Sequence, residues 1–243
     1  MRIIKLNAID STNSFLRQLS VEEPLDDFTI VVANHQTKGR GQMGTNWYSE
    51  NGKNLMFSTF KKIEGLEIEA HFYISIVVSL AVFMALEAYM LKNLKIKWPN
   101  DILSEQKKIA GILIENVIKK DRIQSTIIGI GLNANQTSFE ELPNASSIKS
   151  LTGKDVDKDE LLNRIVNQFE YYFALLENKS YDLLLKAYED KLYRIDKPST
   201  FKTQDDELFS GYIKGVTQNG FLKVLVEDEI VKTFDLKEVT LLS

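Results

Sequence analysis

The chain has 243 residues, of which 44% are hydrophobic, and its formal net charge is −4 at pH 7. These values argue against global disorder and against a protein that binds nucleic acid through overall positive charge. The sequence has no cysteine, which excludes disulfides, thiolate metal sites and cysteine nucleophiles. The length suits one large domain, or a main domain with a small one.

The N-terminal stretch predicts a strand and then a capped helix. Residues 2–8 alternate between apolar and polar side chains, and they lack the apolar core of a signal peptide. Asp-Ser-Thr-Asn at 10–13 is typical of a helix N-terminus, and residues 15–19 supply an apolar stripe. Capping is the ordinary interpretation of Ser11 and Thr12. The alternative is that their hydroxyls face a polar ligand at the helix N-terminus.

A predicted strand at 29–33 leads into residues 35–47, which we call the glycine loop. It combines three glycines with two cations, a composition typical of a loop that folds around an anion, most often a phosphate. Its glycines also match G-x-G-x-x-G, the dinucleotide-binding fingerprint. That fingerprint requires a helix directly after it, and residues 45–54 have no helical periodicity. We therefore predict a mobile anion-binding loop between two strands.

The middle of the chain predicts a strand at 54–60 and a long helix at 70–92. The helix is apolar on nearly all faces, and its uninterrupted apolar run, 73–86, has fewer than the about 20 residues that span a bilayer. A buried core helix in a soluble, cytoplasmic protein is the resulting prediction. Residues 96–103 predict a short strand interrupted at Pro99, at a sheet edge or a bulge.

Two strands at 107–118 and 125–133 predict an antiparallel hairpin, and residues 134–150 read as a polar loop. Asp157 and Glu160 resemble a capping box that opens a long helix, and a second helix is predicted at about 180–192.

The sequence pattern changes at about residue 197, where short β-rich runs are separated by polar turns. The predicted strands are 199–204, 208–217, 221–227, 230–235 and 238–242. Five short strands in so few residues suggest a small barrel. The predicted class is therefore α+β, with a catalytic domain at 1–195 and a C-terminal barrel at 196–243.

Polar side chains punctuate the predicted apolar strands and are the candidates for chemistry. They are Gln36, Arg40, Lys97, Asp101, Lys108 and Asn133. Each also has an ordinary structural interpretation: Lys108 as a solvated lysine at a strand start, Asp101 as a turn residue and Asn133 as a strand end. One residue alone decides nothing.

Five motifs together resemble those of biotin–protein ligases, in order and in spacing. They are Asp-Ser-Thr-Asn (10–13), Gly-Arg-Gly-Gln-Met-Gly-Thr-Asn-Trp (39–47), Lys-Trp-Pro-Asn-Asp (97–101), Lys-Ile-Ala-Gly-Ile-Leu (108–113) and Gly-Ile-Gly-Leu-Asn (129–133). The resemblance implies a catalytic domain like that of class II synthetases, with a mainly antiparallel sheet and helices, followed by an SH3-like barrel. It covers essentially the whole chain.

The resemblance also implies roles for individual residues. The implied catalytic residues are Lys108, Arg40 and Asp101. The implied biotin contacts are Ser11, Thr12, Asn13, Gln36, Gly39, Arg40, Lys108 and Gly111. The implied nucleotide contacts are Arg40, Trp47, Asn100, Lys108 and Asn133. Mg²⁺ is expected on the ATP, with Asp101 as a weak candidate ligand, and no residue is identified for stacking on adenine.

The implied reaction has two steps: ATP activates biotin to biotinyl-5′-adenylate, and a lysine of a biotin carboxyl carrier protein then takes the biotin. We expect Asp101 to accept the proton of that lysine. The loop at 134–148 is expected to close the adenine side. Neither nucleic acid nor a membrane is an expected partner, and the sequence leaves monomer and homodimer open.

The sequence departs from the family pattern in two places. Gln42 and Met43 stand where many members have arginines, so we expect faster loss of the adenylate. Only nine residues precede the Asp-Ser-Thr-Asn motif. We therefore expect a short form that has no helix-turn-helix domain and does not regulate transcription.

Two alternatives stay open. Lipoate ligases and octanoyltransferases share the fold, although the 97–101 motif and the C-terminal barrel favour biotin. A biotin-binding sensor without catalysis is the second alternative, and the presence of both Arg40 and Lys108 argues against it.

Overall fold

A seven-stranded sheet dominates the computed structural model, which describes residues 1–140 and 142–242. The spatial order is β1-β2-β3-β7-β6-β5-β4, with β1 and β2 parallel and the five other neighbouring pairs antiparallel. The strands are β1 (Ile3–Ile9), β2 (Thr29–Gln36), β3 (Leu55–Lys62), β4 (Lys95–Lys97), β5 (Asp101–Ser104), β6 (Lys107–Lys119) and β7 (Arg122–Leu132). The predicted α+β class and the predicted β6–β7 hairpin are confirmed.

Helices cover both faces of this sheet. They are α1 (Thr12–Glu22), α2 (Phe72–Glu87), α3 (Ile148–Thr152), α4 (Lys158–Glu177) and α5 (Tyr181–Glu189). Helix α2 lies in the main core, packed by α4 and α5, and 13 of its 16 residues are buried. A smaller cluster that includes Leu16, Val31 and Ile127 packs α1 on the other face. Successive strand residues point to opposite faces, so each strand supplies both layers.

The predicted central helix exists but is shorter than 70–92. Residues 68–70 form a 3-10 turn before it, and Met90 and Asn93 take positive φ angles of 52° and 50° just after it. Left-handed residues end a helix, which explains the early stop.

The length argument against a membrane span was wrong. The 3-10 turn, His71 and α2 together span 20 residues, 68–87, and this segment is long and apolar enough to cross a bilayer by length and composition. In this fold 67% of the most apolar window is buried inside the protein. Burial, not length, is what supports the core-helix interpretation.

The prediction of one interrupted strand at 96–103 was also wrong. Strands β4 and β5 form an antiparallel pair in which Lys97 lies opposite Asp101, and Pro99 occupies the turn between them. β4 is an edge strand of the sheet, as expected near a residue that lacks a backbone N–H. The pairing of β5 with β6 places Asp101 opposite Gly111.

The predicted capping box is half right. The Asp157 carboxylate accepts from the backbone N–H of Asp159 and of Glu160, at 2.9 and 3.1 Å. The Glu160 carboxylate instead accepts from the Arg164 guanidinium one turn later.

Five C-terminal strands form a second sheet, in the order β11-β10-β9-β8-β12. They are β8 (Pro198–Thr203), β9 (Leu208–Val216), β10 (Leu222–Leu225), β11 (Val231–Phe234) and β12 (Val239–Leu242). All five predicted strands are present, and the sheet is barrel-like, without described pairing of β11 with β12. Trp98 Nε1 donates to the Gly220 carbonyl at 2.8 Å and so joins this sheet to the β4–β5 turn. The boundary at 195/196 stays a prediction.

Residue 141, within the predicted loop at 134–150, and residue 243, at the end of the predicted barrel, lie outside the described residues.

Candidate active site

A cleft of about 240 Å³ opens on the sheet face that carries α1. The N-terminus of α1, the glycine loop, the β4–β5 turn and strands β6 and β7 surround it. Ten of the predicted site residues line it: Ser11, Thr12, Asn13, Gln36, Arg40, Trp47, Asn100, Asp101, Lys108 and Gly111. The fold therefore brings together residues that lie up to 100 positions apart in the sequence.

The cleft contains a hydrogen-bonded network of neutral side chains, most of them buried. Gln36 Oε1 accepts from the Thr12 backbone N–H at 2.8 Å and from its hydroxyl at 3.0 Å. Ser58 Oγ lies 2.7 Å from Thr12 Oγ1 and 2.5 Å from Asn13 Oδ1, so its single proton serves one of them at a time. Thr12, Asn13 and Ser58 are at most 3% exposed. We call Thr12, Asn13, Gln36 and Ser58 the polar network.

Glycines on β6 and β7 make room for two of the site side chains. A Cβ at Gly129 would lie 2.2 Å from Asn13 Oδ1, and one at Gly131 would lie 2.4 Å from Trp47 Cε2. Gly111 lies opposite Gly131 in the β6–β7 register, and a Cβ there would lie 3.0 Å from Cζ3 of the same indole. Glycine inside a strand commonly marks such a close approach. The alternating glycines of β7 therefore have a packing role at the cleft.

The glycine loop folds back on itself as a narrow hairpin. Trp47 N–H donates to the Gly39 carbonyl at 2.9 Å, and Gly41 N–H donates to the Thr45 carbonyl at 2.7 Å. Its tip, 42–44, is a single 3-10 turn, and the next regular element is strand β3. The exclusion of a dinucleotide-binding fingerprint is thereby confirmed.

Two cations that line the cleft, Lys108 and Arg40, each contact a carboxylate. Lys108 Nζ lies 2.6 Å from Asp101 Oδ1 and 5.7 Å from the centre of a Trp47 ring. Arg40 Nη2 lies 3.1 Å from Glu115 Oε2. The exposed fractions of the Lys108 and Arg40 side chains are 37% and 42%. The two cations are therefore open to solvent, unlike Thr12, Asn13 and Ser58.

Two predicted contacts lie outside the cleft lining. Gly39 forms the base of the loop hairpin, and Asn133 is 3% exposed at the end of β7. The backbone N–H of Asn133 donates to the Ile109 carbonyl at 2.8 Å, and its carbonyl accepts from Ile148 at 3.0 Å. Their assignments to biotin and to the nucleotide stay predictions. Asn100 is held by β6, because its Nδ2 donates to the Ile112 carbonyl at 2.8 Å.

Part of the predicted closing loop lies beside Lys108. The Lys108 N–H donates to the Asn144 carbonyl at 2.7 Å, and Ser146 N–H donates to the Lys108 carbonyl at 3.0 Å. Residues 142–146 thus border the cleft at Lys108. Contact with adenine stays a prediction.

The sequence analysis missed Ser58, Glu115, Gly129 and Gly131 as site residues. A lone serine in the apolar run of β3 and a glutamate that ends the apolar run of β6 are weak signals of such a role. The glycine alternation in β7 is a stronger signal. Within 1–140 and 142–242, no group of three His, Asp or Glu side chains is placed to hold a metal ion.

The chain is similar to known proteins both in sequence and in structure. Residues 6–133 match the Biotin/lipoate A/B protein ligase family. Bifunctional ligase/repressor BirA of Escherichia coli is 29% identical over 240 residues, which cover 98% of this chain and 73% of that protein. A biotin–[acetyl-CoA-carboxylase] ligase of Paracoccus denitrificans is 29% identical over 88% of this chain and 90% of that protein. The Aquifex aeolicus biotin protein ligase in complex with biotin and ATP superposes with a TM-score of 0.81 at 28% identity, covering 99% of this chain and 98% of that one.

Proposed function

Because this chain belongs to the biotin/lipoate A/B protein ligase family, we propose that it activates biotin with ATP and transfers it to a carrier lysine. Its relatives are named as biotin–protein ligases, and the Aquifex neighbour binds biotin and ATP. One observation carries the proposal in this chain: a single cleft joins a neutral polar network to two cations, Arg40 and Lys108. Biotin is likewise neutral and polar at its ring and anionic at its tail.

The polar network is suited to the ureido ring of biotin. Thr12, Asn13 and Gln36 line the cleft and offer neutral donors and acceptors, and the buried Ser58 behind them holds Thr12 and Asn13 in place. Hydrogen bonds made by such preorganised groups bind a neutral ring without the cost of ordering them first. The ring then directs the carboxylate tail toward Lys108 and Arg40.

In the first step, a biotin carboxylate oxygen attacks the α-phosphorus of ATP, and pyrophosphate leaves. Two anions must approach each other, so the charge that builds on the α-phosphate needs fixed cations nearby. Lys108 and Arg40 supply that stabilisation, and Mg²⁺ arrives with ATP as part of the substrate. We also propose Asp101 as a contact to that ion.

In the second step, the amine of a carrier lysine attacks the mixed anhydride, an amide forms and AMP leaves. Because an ordinary lysine pKa is about 10.4, the attacking amine must give up a proton. We assign its acceptance to Asp101. The Asp101 carboxylate lies 2.6 Å from Lys108, so the carrier lysine competes with Lys108 for it.

Asp101→Ala is expected to slow the transfer from preformed adenylate by about 100-fold or more, because general-base catalysis is worth roughly that factor. Single-turnover transfer measured with purified adenylate isolates this step from the first one. An unchanged transfer rate would remove Asp101 as the base.

The partner we propose is the biotin carboxyl carrier domain of a carboxylase, and we place the protein in the cytoplasm, where ATP is available. We further propose that 1–195 form the catalytic domain and 196–243 a C-terminal SH3-like barrel. Monomer and homodimer are both compatible with this reaction.

The test is pyrophosphate release with ATP and each of biotin, lipoate and octanoate, followed by labelling of a carrier lysine. We expect release and labelling with biotin alone. Labelling with lipoate but not biotin would replace the proposed substrate, and biotin binding without pyrophosphate release would identify a sensor.

A further inference from the structure

Glu115 lies on β6 at a point where three side chains converge on one carboxylate. Its Oε2 accepts from Asn13 Nδ2 at 2.9 Å and from Arg40 Nη2 at 3.1 Å. On the other oxygen, Arg17 Nη1 of helix α1 lies 3.5 Å from Oε1. The Glu115 side chain is only 17% exposed, whereas both guanidinium groups are about half exposed. The carboxylate is therefore the buried member of this cluster, and the arginines are the exposed ones.

Two side chains fasten the glycine loop to the sheet. The Trp47 indole packs on Gly131 through apolar contact, and the Arg40 guanidinium contacts Glu115 through charge. A substrate anion that reaches the Arg40 guanidinium competes with the Glu115 carboxylate for it, whereas it does not compete for the apolar Trp47 contact. Arg40 lines the cleft, so an anionic substrate group can reach it.

Glu115 also touches the polar network directly. The oxygen that accepts from Arg40 is the one that accepts from Asn13, whose Oδ1 is bonded in turn to Ser58. A chain of polar contacts thus runs from Gln36 to Arg40. Whatever displaces Arg40 changes the acceptor that orients Asn13.

We propose that Glu115 is a positioning residue that holds Arg40, and with it the glycine loop, against the sheet until an anionic substrate group takes the guanidinium over. The inference rests on the proposed function, because it takes the substrate anions to be the biotin carboxylate and the ATP α-phosphate. It adds a residue and a loop mechanism to that function.

The informative variant is Glu115→Gln, which removes the negative charge and keeps an amide oxygen as an acceptor for Asn13. The matched control is Arg17→Ala, which removes the other guanidinium and leaves the Arg40–Glu115 pair intact. The readout is hydrogen–deuterium exchange of the backbone amides of residues 39–47, with and without biotin and ATP.

Without substrates, the loop of Glu115→Gln should exchange about 2- to 10-fold faster than that of the wild type, as expected for loss of one partly exposed ion pair. With biotin and ATP the two proteins should be equally protected, because the substrate then holds Arg40. Arg17→Ala should match the wild type in both conditions. A purely structural role for Glu115 would instead leave the variant loop faster in both.

Equal loop exchange in Glu115→Gln and the wild type without substrates would overturn the proposal, as would faster exchange that persists with biotin and ATP. A wild-type loop that biotin and ATP leave unprotected, with no pyrophosphate release, would overturn the proposed function itself. If Glu115→Gln does not fold, the same exchange measurement on the wild type without substrates replaces it. Raising NaCl from about 0.05 to about 1 M screens the Arg40–Glu115 pair and should speed exchange of the glycine loop. No salt effect would then count against the proposal.

Discussion

The cleft holds two sets of polar side chains that are built in opposite ways. In one set, Thr12, Asn13 and Ser58 are neutral, buried and bonded to each other. In the other set, Arg40 and Lys108 are charged, partly exposed and paired with carboxylates. A buried network is costly to disturb, because a buried polar group left unpaired carries a desolvation penalty that no hydrogen bond offsets. Exposed ion pairs exchange partners at little cost.

The contrast implies a division of labour within the proposed reaction. The polar network should determine how tightly biotin binds, and the cations should determine how fast its carboxylate reacts. Substitutions in the two sets should therefore change different measured quantities.

Lys108→Ala should lower the rate of pyrophosphate release by about 100- to 1000-fold, the usual effect of removing one group that stabilises developing charge. Stability should change little, because the side chain is partly exposed. Lys107→Ala is the control, since the Lys107 ammonium donates to the Pro143 carbonyl. Equal losses in the two variants would remove the special role of Lys108.

Gly129→Ala should weaken biotin binding by about 10- to 100-fold, because overpacking of this kind costs about 1–3 kcal/mol. The new methyl would lie 2.2 Å from the Asn13 amide oxygen. Gly211→Ala is the control: its methyl would lie 2.6 Å from Val224 Cγ1 in the C-terminal sheet. Both variants should melt at lower temperature, but calorimetry should find weaker biotin binding in Gly129→Ala alone.

Ser58→Ala should raise the biotin dissociation constant by about 5-fold, since a net hydrogen bond contributes about 1 kcal/mol. Thr59→Ala is the control on the same strand. Thr59 is fully buried and points to the opposite face, toward the main core. If both variants bind biotin alike, the polar network does not set the affinity.

Gln42→Arg should slow the release of biotinyl-5′-adenylate by about 2- to 5-fold, because one added, partly exposed cation contributes up to about 1 kcal/mol. Gln42 lines the cleft at the tip of the glycine loop. Stopped-flow release of the adenylate measures the effect. An unchanged release rate would mean that the missing arginine does not weaken the grip of the loop.

The sequence was sufficient for the elements that carry their own local signal. Asp157 caps α4 as predicted, and the β6–β7 hairpin and the five C-terminal strands follow from alternation and turn residues. Strands β4 and β5 were merged because three or four residues are too few for a period to be visible. The end of α2 was misplaced because left-handed Met90 has no strong sequence signature.

The contacts within the site were predictable only in part. Arg40 was expected to meet a substrate anion, but its protein partner, Glu115, lies 75 positions away on a strand that is not adjacent to β2 or β3. Ser58 meets Asn13 only because α1 packs on β3. Such contacts depend on strand order and helix placement, which periodicity does not specify.

The most direct test is the rate of pyrophosphate release as a function of biotin concentration, at saturating ATP, for the wild type, Ser58→Ala and Lys108→Ala. If the polar network sets the affinity for biotin and the two cations set the reaction rate, Ser58→Ala raises the KM for biotin and keeps kcat, whereas Lys108→Ala lowers kcat by about 100-fold or more. The division is contradicted if both variants lose kcat alike, or if the wild type releases no pyrophosphate.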